Sequence, residues 1–395
     1  MSKNTKLVPK RRFKGYNNEW KLLSRIGDYS EILTGGTPST QEKSFWQPKE
    51  ILWMSSGEVH RKRILYTDNM ISQKGFENSS ARWVKENSIL IALAGQGKTR
   101  GTVAINHIPI TTNQSIASIT PSKILNSEFL FQNFDMRYEE LRTISSGDGT
   151  RGGLNKKIIS NINIITPSLK EQTQIGEFFK KLDTLIQTQQ KKLEKTKTLK
   201  SAYLAEMFPC DGESKPKLRF KNFDKIWNIT FLGLISQIKT GESDAQDSVA
   251  YGKYPFFVRS ENIERSNRYL FDGEAILIPG EGRLGEIFHY INGKFDYHQR
   301  VYKISNFSNN IDGKFIYYLM QKDFKEHALK YTVKATVDSL RLPMLTNYRL
   351  KQPTLQEQNK VSSFFVKLDQ KIALEQRKLE KLNNIKQAYL NEMFV

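Results

Sequence analysis

Cysteine is almost missing from this chain. Cys210 stands alone among 395 residues, which excludes any intrachain disulfide and fits a reducing compartment. Histidine is scarce too, with five in all, and no His/Cys cluster at metal-ligand spacing can be assembled. None of the five lies beside a pair of carboxylates in the sequence, so acid–base catalysis has no visible seat. Neither the Asn-Pro-Pro-aromatic tetrad of amino-methyltransferases nor a convincing nuclease arrangement of carboxylates and lysine is present. There is no run of eighteen apolar residues, and the start, MSKNTKLVPKRRFKGY, has no apolar core. Neither membrane insertion nor secretion is expected, and a cytoplasmic location follows.

What the chain has in excess is positive charge. Lys and Arg number 61 against 41 Asp and Glu, a formal net charge of +20 spread along the whole length. A polyanion, nucleic acid above all, is the expected partner. The length suffices for two domains, each with its own core.

The chain also says one thing twice. Residues 167–209 and 353–395 align without a gap, and 22 of the 43 positions are identical, where average residue usage would give roughly two or three. Both copies open on a proline and a start signal, Ser168 with Glu171 and Thr354 with Glu357. This spacing predicts a capping box, in which hydroxyl and carboxylate satisfy free amides of the first turn. Apolar residues then recur at steps of three and four, so each copy is expected to be one long amphipathic helix of about 60 Å. Such a stripe needs cover that a small domain cannot supply. Antiparallel pairing of the two helices, coiled-coil-like but interrupted by Gln189, Gln190, Gln376 and Asn383, is the economical arrangement.

The bodies ahead of the helices share landmarks. PKRRFKGYNNEW (Pro9 to Trp20) answers PKLRFKNFDKIW (Pro216 to Trp227), and SILIALAGQGKTRGTVAI (88–105) answers AILIPGEGRLGEIFHY (275–290). Strands mixed irregularly with helices predict the α+β class. The expected layout is a first body over 1–166, a helix over 167–209, a second body over 210–352 and a helix over 353–395, with CDGESKPK (210–217) as linker. AGQGKT near Lys98 approximates a Walker A loop, and GEGRLG near Arg283 a dinucleotide fingerprint. In both, a strand rather than a helix should follow, so neither ATP nor NAD binding is expected. A tight turn that brings backbone and one cation to a phosphate serves both copies.

At these residues the chain resembles the DNA-specificity subunit of type I restriction-modification systems. The resemblance covers essentially all of it and rests on the two turns, the PSLKEQ and PTLQEQ helix starts and the alternation of domain and helix. It implies two target-recognition domains, each reading half of a split DNA sequence, with the helices as spacer. It also implies a subunit that is not an enzyme and holds no cofactor, and that directs two methyltransferase (modification) subunits and restriction subunits to double-stranded DNA. S-adenosylmethionine, ATP and Mg are expected on those partners. The residues expected at phosphate or base are Lys98, Arg100, Arg151, Lys156 and Lys157 in the first half and Arg283, Arg300, Lys334 and Arg341 in the second. Partner subunits are expected at Phe178, Phe179, Tyr203, Met207, Phe364, Phe365, Tyr389 and Met393. The loop GDGTRGGLNKK has no glycine-rich counterpart in the second half, so the two domains need not contact DNA alike. The alternatives are a stand-alone duplicated DNA-binding regulator, which would bind a split operator without partners, and a P-loop enzyme, whose ATP hydrolysis would depend on Lys98.

Overall fold

The computed structural model of the chain describes residues 7–95, 98–144, 153–210, 212–331 and 339–395. Two compact units emerge, Met1–Gln189 with Lys378–Val395, and Gln190–Arg377. Both are α+β, and each contains the start of one long helix and the end of the other.

In the first unit a five-stranded sheet has the spatial order Ser30–Thr34, Ile116–Pro121, Ile89–Ala92, Val103–Asn106, Arg63–Ile64. Its central strand is buried on both faces, which is why SILIA reads as a continuous apolar run rather than an alternation. Ile89, Ile91, Val103, Ile105 and Ile119 face Leu130, Phe131 and Phe134 of the helix Ser127–Met136. Leu90, Ala92, Ala104 and Ile116 face Met54, Val84 and Ile110 of a second sheet, of order Asn69–Ile71, Ile51–Met54, Ile110–Thr112, Trp83–Val84. The second unit has one six-stranded sheet, ordered Gln237–Thr240, Val301–Ser305, Phe271–Pro279, His289–Tyr297, Tyr254–Phe257, Ile263–Ser266. Its first four strands repeat the order of the first four in the five-stranded sheet. Helix Gly313–Leu329 covers Ile276, Ile278 and Ile304 as its counterpart covers the first sheet.

The duplicated segments are helices of 39 residues, Leu169–Met207 and Leu355–Met393. They run antiparallel where they meet. In the first unit Phe178 packs 5.0 Å from Tyr389, and the Asp183 carboxylate lies 2.8 Å from the Lys386 ammonium. The second unit repeats both contacts with the copies exchanged: Tyr203 packs 4.9 Å from Phe364, and Lys200 lies 2.7 Å from Asp369. Four of the residues expected to face a partner, Phe179, Met207, Phe365 and Met393, are buried instead in the cores of their own units. Their side chains satisfy the apolar stripe internally. Phe178, Tyr203, Phe364 and Tyr389 are half-buried and engaged with one another.

The helix starts correct another expectation. The Ser168 hydroxyl does accept from the Glu171 amide, at 3.4 Å, but the Glu171 carboxylate accepts from Arg12 Nε and Nη2 at 2.6 and 2.7 Å. Glu357 takes Arg219 in the same bidentate way, at 2.7 Å for each bond. Both carboxylates are buried, and a buried charge without a partner costs more than an uncapped amide. The next residue clamps helix to body. Gln172 accepts from the Asn126 amide at 2.9 Å and donates to the Pro167 and Ile124 carbonyls, while Gln358 accepts from the Asp312 amide at 3.0 Å and donates to those of Pro353 and Asn310. The repeated Glu-Gln pair and the repeated PK-x-RFK segment are thus two halves of one joint.

One buried cation stands out in the second unit. Lys303 is 4% exposed on the sheet face away from the covering helix, with its ammonium 3.4 Å from the centre of the Phe271 ring. Burial, followed by the nearby Lys239 charge, pushes its pKa from the ordinary 10.5 down to about 8. The unfolded chain therefore holds more protons between about pH 8 and 10.5, and Lys303 makes the unit more stable as pH rises through that window. Below it the full penalty of burying an ammonium is present. Lys303→Met should raise stability at pH 7 by about 2–3 kcal/mol and flatten the rise above pH 8. Denaturant unfolding across pH checks this; a variant less stable at pH 7 would show that the aromatic contacts outweigh desolvation.

Candidate nucleic-acid interface

The two glycine turns join neighbouring antiparallel strands. In the first unit Ile91 pairs with Val103 across the turn, and in the second Leu277 pairs with His289. No helix follows either turn, so neither has the architecture of a phosphate-binding nucleotide loop. Close packing explains Gly285. Gly285 has φ +65°, and a Cβ there would stand 2.8 Å from the Lys325 Cα.

In the first unit the Lys98 side chain is exposed, while its carbonyl accepts from the Tyr138 hydroxyl at 2.9 Å. Arg100 is half-buried in the same turn. Lys156 and Lys157 are exposed on the short helix Lys156–Ser160, whose first turn is capped by the Asn155 side chain. The chain leading into that helix passes the turn, since a Cβ on Gly153 would lie 3.7 Å from the Leu93 carbonyl oxygen. Among the described residues no carboxylate lies within ion-pair distance of the Lys98, Lys156 or Lys157 ammonium. Arg151 and Lys334 lie outside the described residues, as does most of the GDGTRGG loop.

The second unit gathers its basic residues more tightly. The Gly280 amide donates to the Arg300 carbonyl at 2.8 Å, and the Gly280 carbonyl accepts from the Leu340 amide at 2.7 Å. Turn, Arg300 and the segment leading to Arg341 therefore share one corner. Arg341 is exposed at the start of the helix Leu342–Thr346. Arg283 pairs with Glu261 and lies 3.6 Å from Glu286, which also takes Lys325 at 2.5 Å. Glu281 takes Arg300 on one oxygen and Arg259, at 3.1 Å, on the other. Hydrogen bonds from Arg259 and then Arg300 hold the Glu281 carboxyl below the usual carboxylate range. Behind this corner the buried His298 accepts from the Arg300 amide on Nδ1 at 2.9 Å and meets Asp244 through Nε2 at 3.2 Å, which places the proton on Nε2. Arg259, Lys325 and the three glutamates have no signature in the sequence, because they come from three separate stretches of it.

Among the described residues no group of His, Cys, Asp and Glu could hold a metal ion, and no helix is long and apolar enough to cross a membrane. Two similar bodies, each presenting basic loops on a rigid sheet and each jointed to a shared pair of helices, define a duplicated DNA-reading scaffold. The type I restriction modification DNA specificity domain matches residues 17–197 and again 224–384, and the chain belongs to that family. It is similar to two type I restriction enzyme specificity subunits of Methanocaldococcus jannaschii. It is 23% identical to the MjaVIII subunit, covering 94% of this chain and 91% of that one, and 26% identical to the MjaIX subunit, covering 95% and 92%. Among solved structures it shares the fold of the type I restriction-modification S subunit from M. genitalium, with a TM-score of 0.72 at 15% identity over 98% of this chain and 99% of that one. As a specificity subunit the chain recognises DNA sequence and has no catalytic step of its own.

Proposed function

We propose that this chain reads a bipartite target in double-stranded DNA, one half-site per body, and brings two adenine-methylating modification subunits and restriction subunits to it. S-adenosylmethionine, ATP and Mg then belong to those partners, and the work is cytoplasmic. The observation that carries this reading is the duplication itself: one strand order and one helix joint, built twice with the two helix copies exchanged. The division into recognition bodies over 1–166 and 210–352 and spacer helices over 167–209 and 353–395 is part of the proposal. A straight helix of 39 residues measures about 58 Å, enough to fix an unread spacer between half-sites. Of the large apolar residues on these helices, Leu169 and Leu355 at the first turns and Leu185, Leu199 and Leu374 further along are exposed; the last three, with the open edges of Phe178, Tyr203, Phe364 and Tyr389, suit partner docking.

Phosphate contact falls to Lys98, Arg100, Lys156 and Lys157, with Arg151, in the first body and to Arg341, with Lys334, in the second; Arg283 and Arg300 lie at the second glycine turn. Removing Lys98 should weaken binding alike for all sequences and lower the slope of log affinity against log salt by about 0.9. Titrating the Lys98→Ala complex against one duplex at several salt concentrations measures this, and an unchanged slope takes Lys98 off the interface. Mapping methylated adenines in host DNA with and without the gene tests the whole reading; no split motif that depends on the gene would end it.

A further inference from the structure

The acidic partners of the second unit's arginines change what that corner can do. Four cations stand against three carboxylates in two ion-paired groups, Arg259 and Arg300 on Glu281, and Arg283 and Lys325 with Glu261 and Glu286. A phosphate-binding surface gains affinity by displacing counterions from DNA, which needs cations that are not already neutralised. These seven ion-paired residues are together nearly neutral, and a carboxylate near the phosphate backbone is repelled by it. A base edge, by contrast, offers acceptors and donors side by side: guanine N7 and O6 take a guanidinium, and the paired cytosine N4 donates to a carboxylate. Readout of that kind requires side chains fixed within a fraction of an ångström, and the backbone here is fixed. Gly280 is bonded on both sides, Glu281 bridges to Ser339, and the Arg300 amide is held by His298. Glu281 keeps both oxygens in use by two arginines while each retains a second lone pair for a ligand.

We propose that Glu281, with Arg259 and Arg300, reads one G·C pair in the major groove, an arginine donating to guanine while Glu281 accepts from the cytosine amino group. This rests on the reading of the second body as a DNA-facing domain. The test uses the full chain with its modification subunits and a pool of duplexes randomised in sequence, followed by salt titration on the duplex the wild type prefers. Glu281→Gln keeps the shape and removes the charge. It should lose about tenfold or more of the discrimination at one base pair of one half-site, with the other positions and the salt slope unchanged. A wild-type motif that Glu281→Gln leaves untouched overturns the assignment, as does a uniform loss of affinity with a changed salt slope. A wild-type complex that selects no split motif overturns the underlying reading instead.

Discussion

Phe394→Ala should cost the first unit about 3–5 kcal/mol, the range for emptying a buried aromatic site. Phe394 lies just past the end of the second long helix, 6% exposed, stacked 5.1 Å from Phe129 and tilted 5.9 Å from Phe179, with Trp20 edge-on at 6.3 Å. One ring thus joins a body helix, the start of the first long helix and the N-terminal landmark tryptophan. Phe208 does the same in the second unit, 5.3 Å from Phe315, 5.8 Å from Phe365 and 6.2 Å from Trp227. Phe208→Ala should therefore cost a similar amount in the other unit. Hydrogen exchange separates the two: Phe394→Ala should release amides of 127–136, and Phe208→Ala those of 313–329. Equal release in both helices by either variant, or a cost below 1 kcal/mol in denaturant unfolding, would show that these rings are not the anchors.

The long helices are legible because their signals are local. Periodicity, a start signal and a gapless repeat all lie within 43 residues, and the helices found, Leu169–Met207 and Leu355–Met393, fall within the repeated segments. The glycine turns are legible for the same reason, since the residues after each turn carry a strand pattern. Long-range partners are not. Arg12 and Glu171 are 159 residues apart, so Glu171 reads as a cap when its carboxylate belongs to an ion pair. Phe179 and Phe365 read as surface anchors for a partner because a helical stripe alone does not say which of its residues the chain's other copy covers. Phe208 and Phe394 go unread since they follow the last helical residue. Of the interface, single basic residues in the turns can be named from sequence, but the carboxylates that neutralise Arg283 and Arg300 cannot, as they converge only in the folded sheet.

Arg63→Ala should destabilise the first unit by about 3–5 kcal/mol, the usual result of removing one partner from a buried ion pair. The Arg63 side chain is 8% exposed and holds Glu128 bidentately at 2.8 and 2.9 Å and Asp183 of the first long helix at 2.7 Å. Asp183 also accepts from Gln132 at 2.8 Å and pairs with Lys386 of the second long helix. Without Arg63, Glu128 and Asp183 lose their shared cation and keep only Lys180, at 3.4 Å, and Lys386, at 2.8 Å, in a largely buried setting. The equivalent aspartate in the second unit, Asp369, pairs with Lys200 and accepts from the Tyr318 hydroxyl at 2.8 Å, but its side chain is 36% exposed. There the same chemistry sits in water's reach, where an ion pair contributes about 0–1 kcal/mol. Two aspartates at matched positions of a duplication should thus respond unequally: Asp183→Asn costing several-fold more than Asp369→Asn in denaturant unfolding, and the gap persisting at high salt, which screens exposed pairs but not buried ones. Equal costs, or a gap that closes with salt, would mean that the first joint is no drier than the second and that Arg63 is not what binds helix to body.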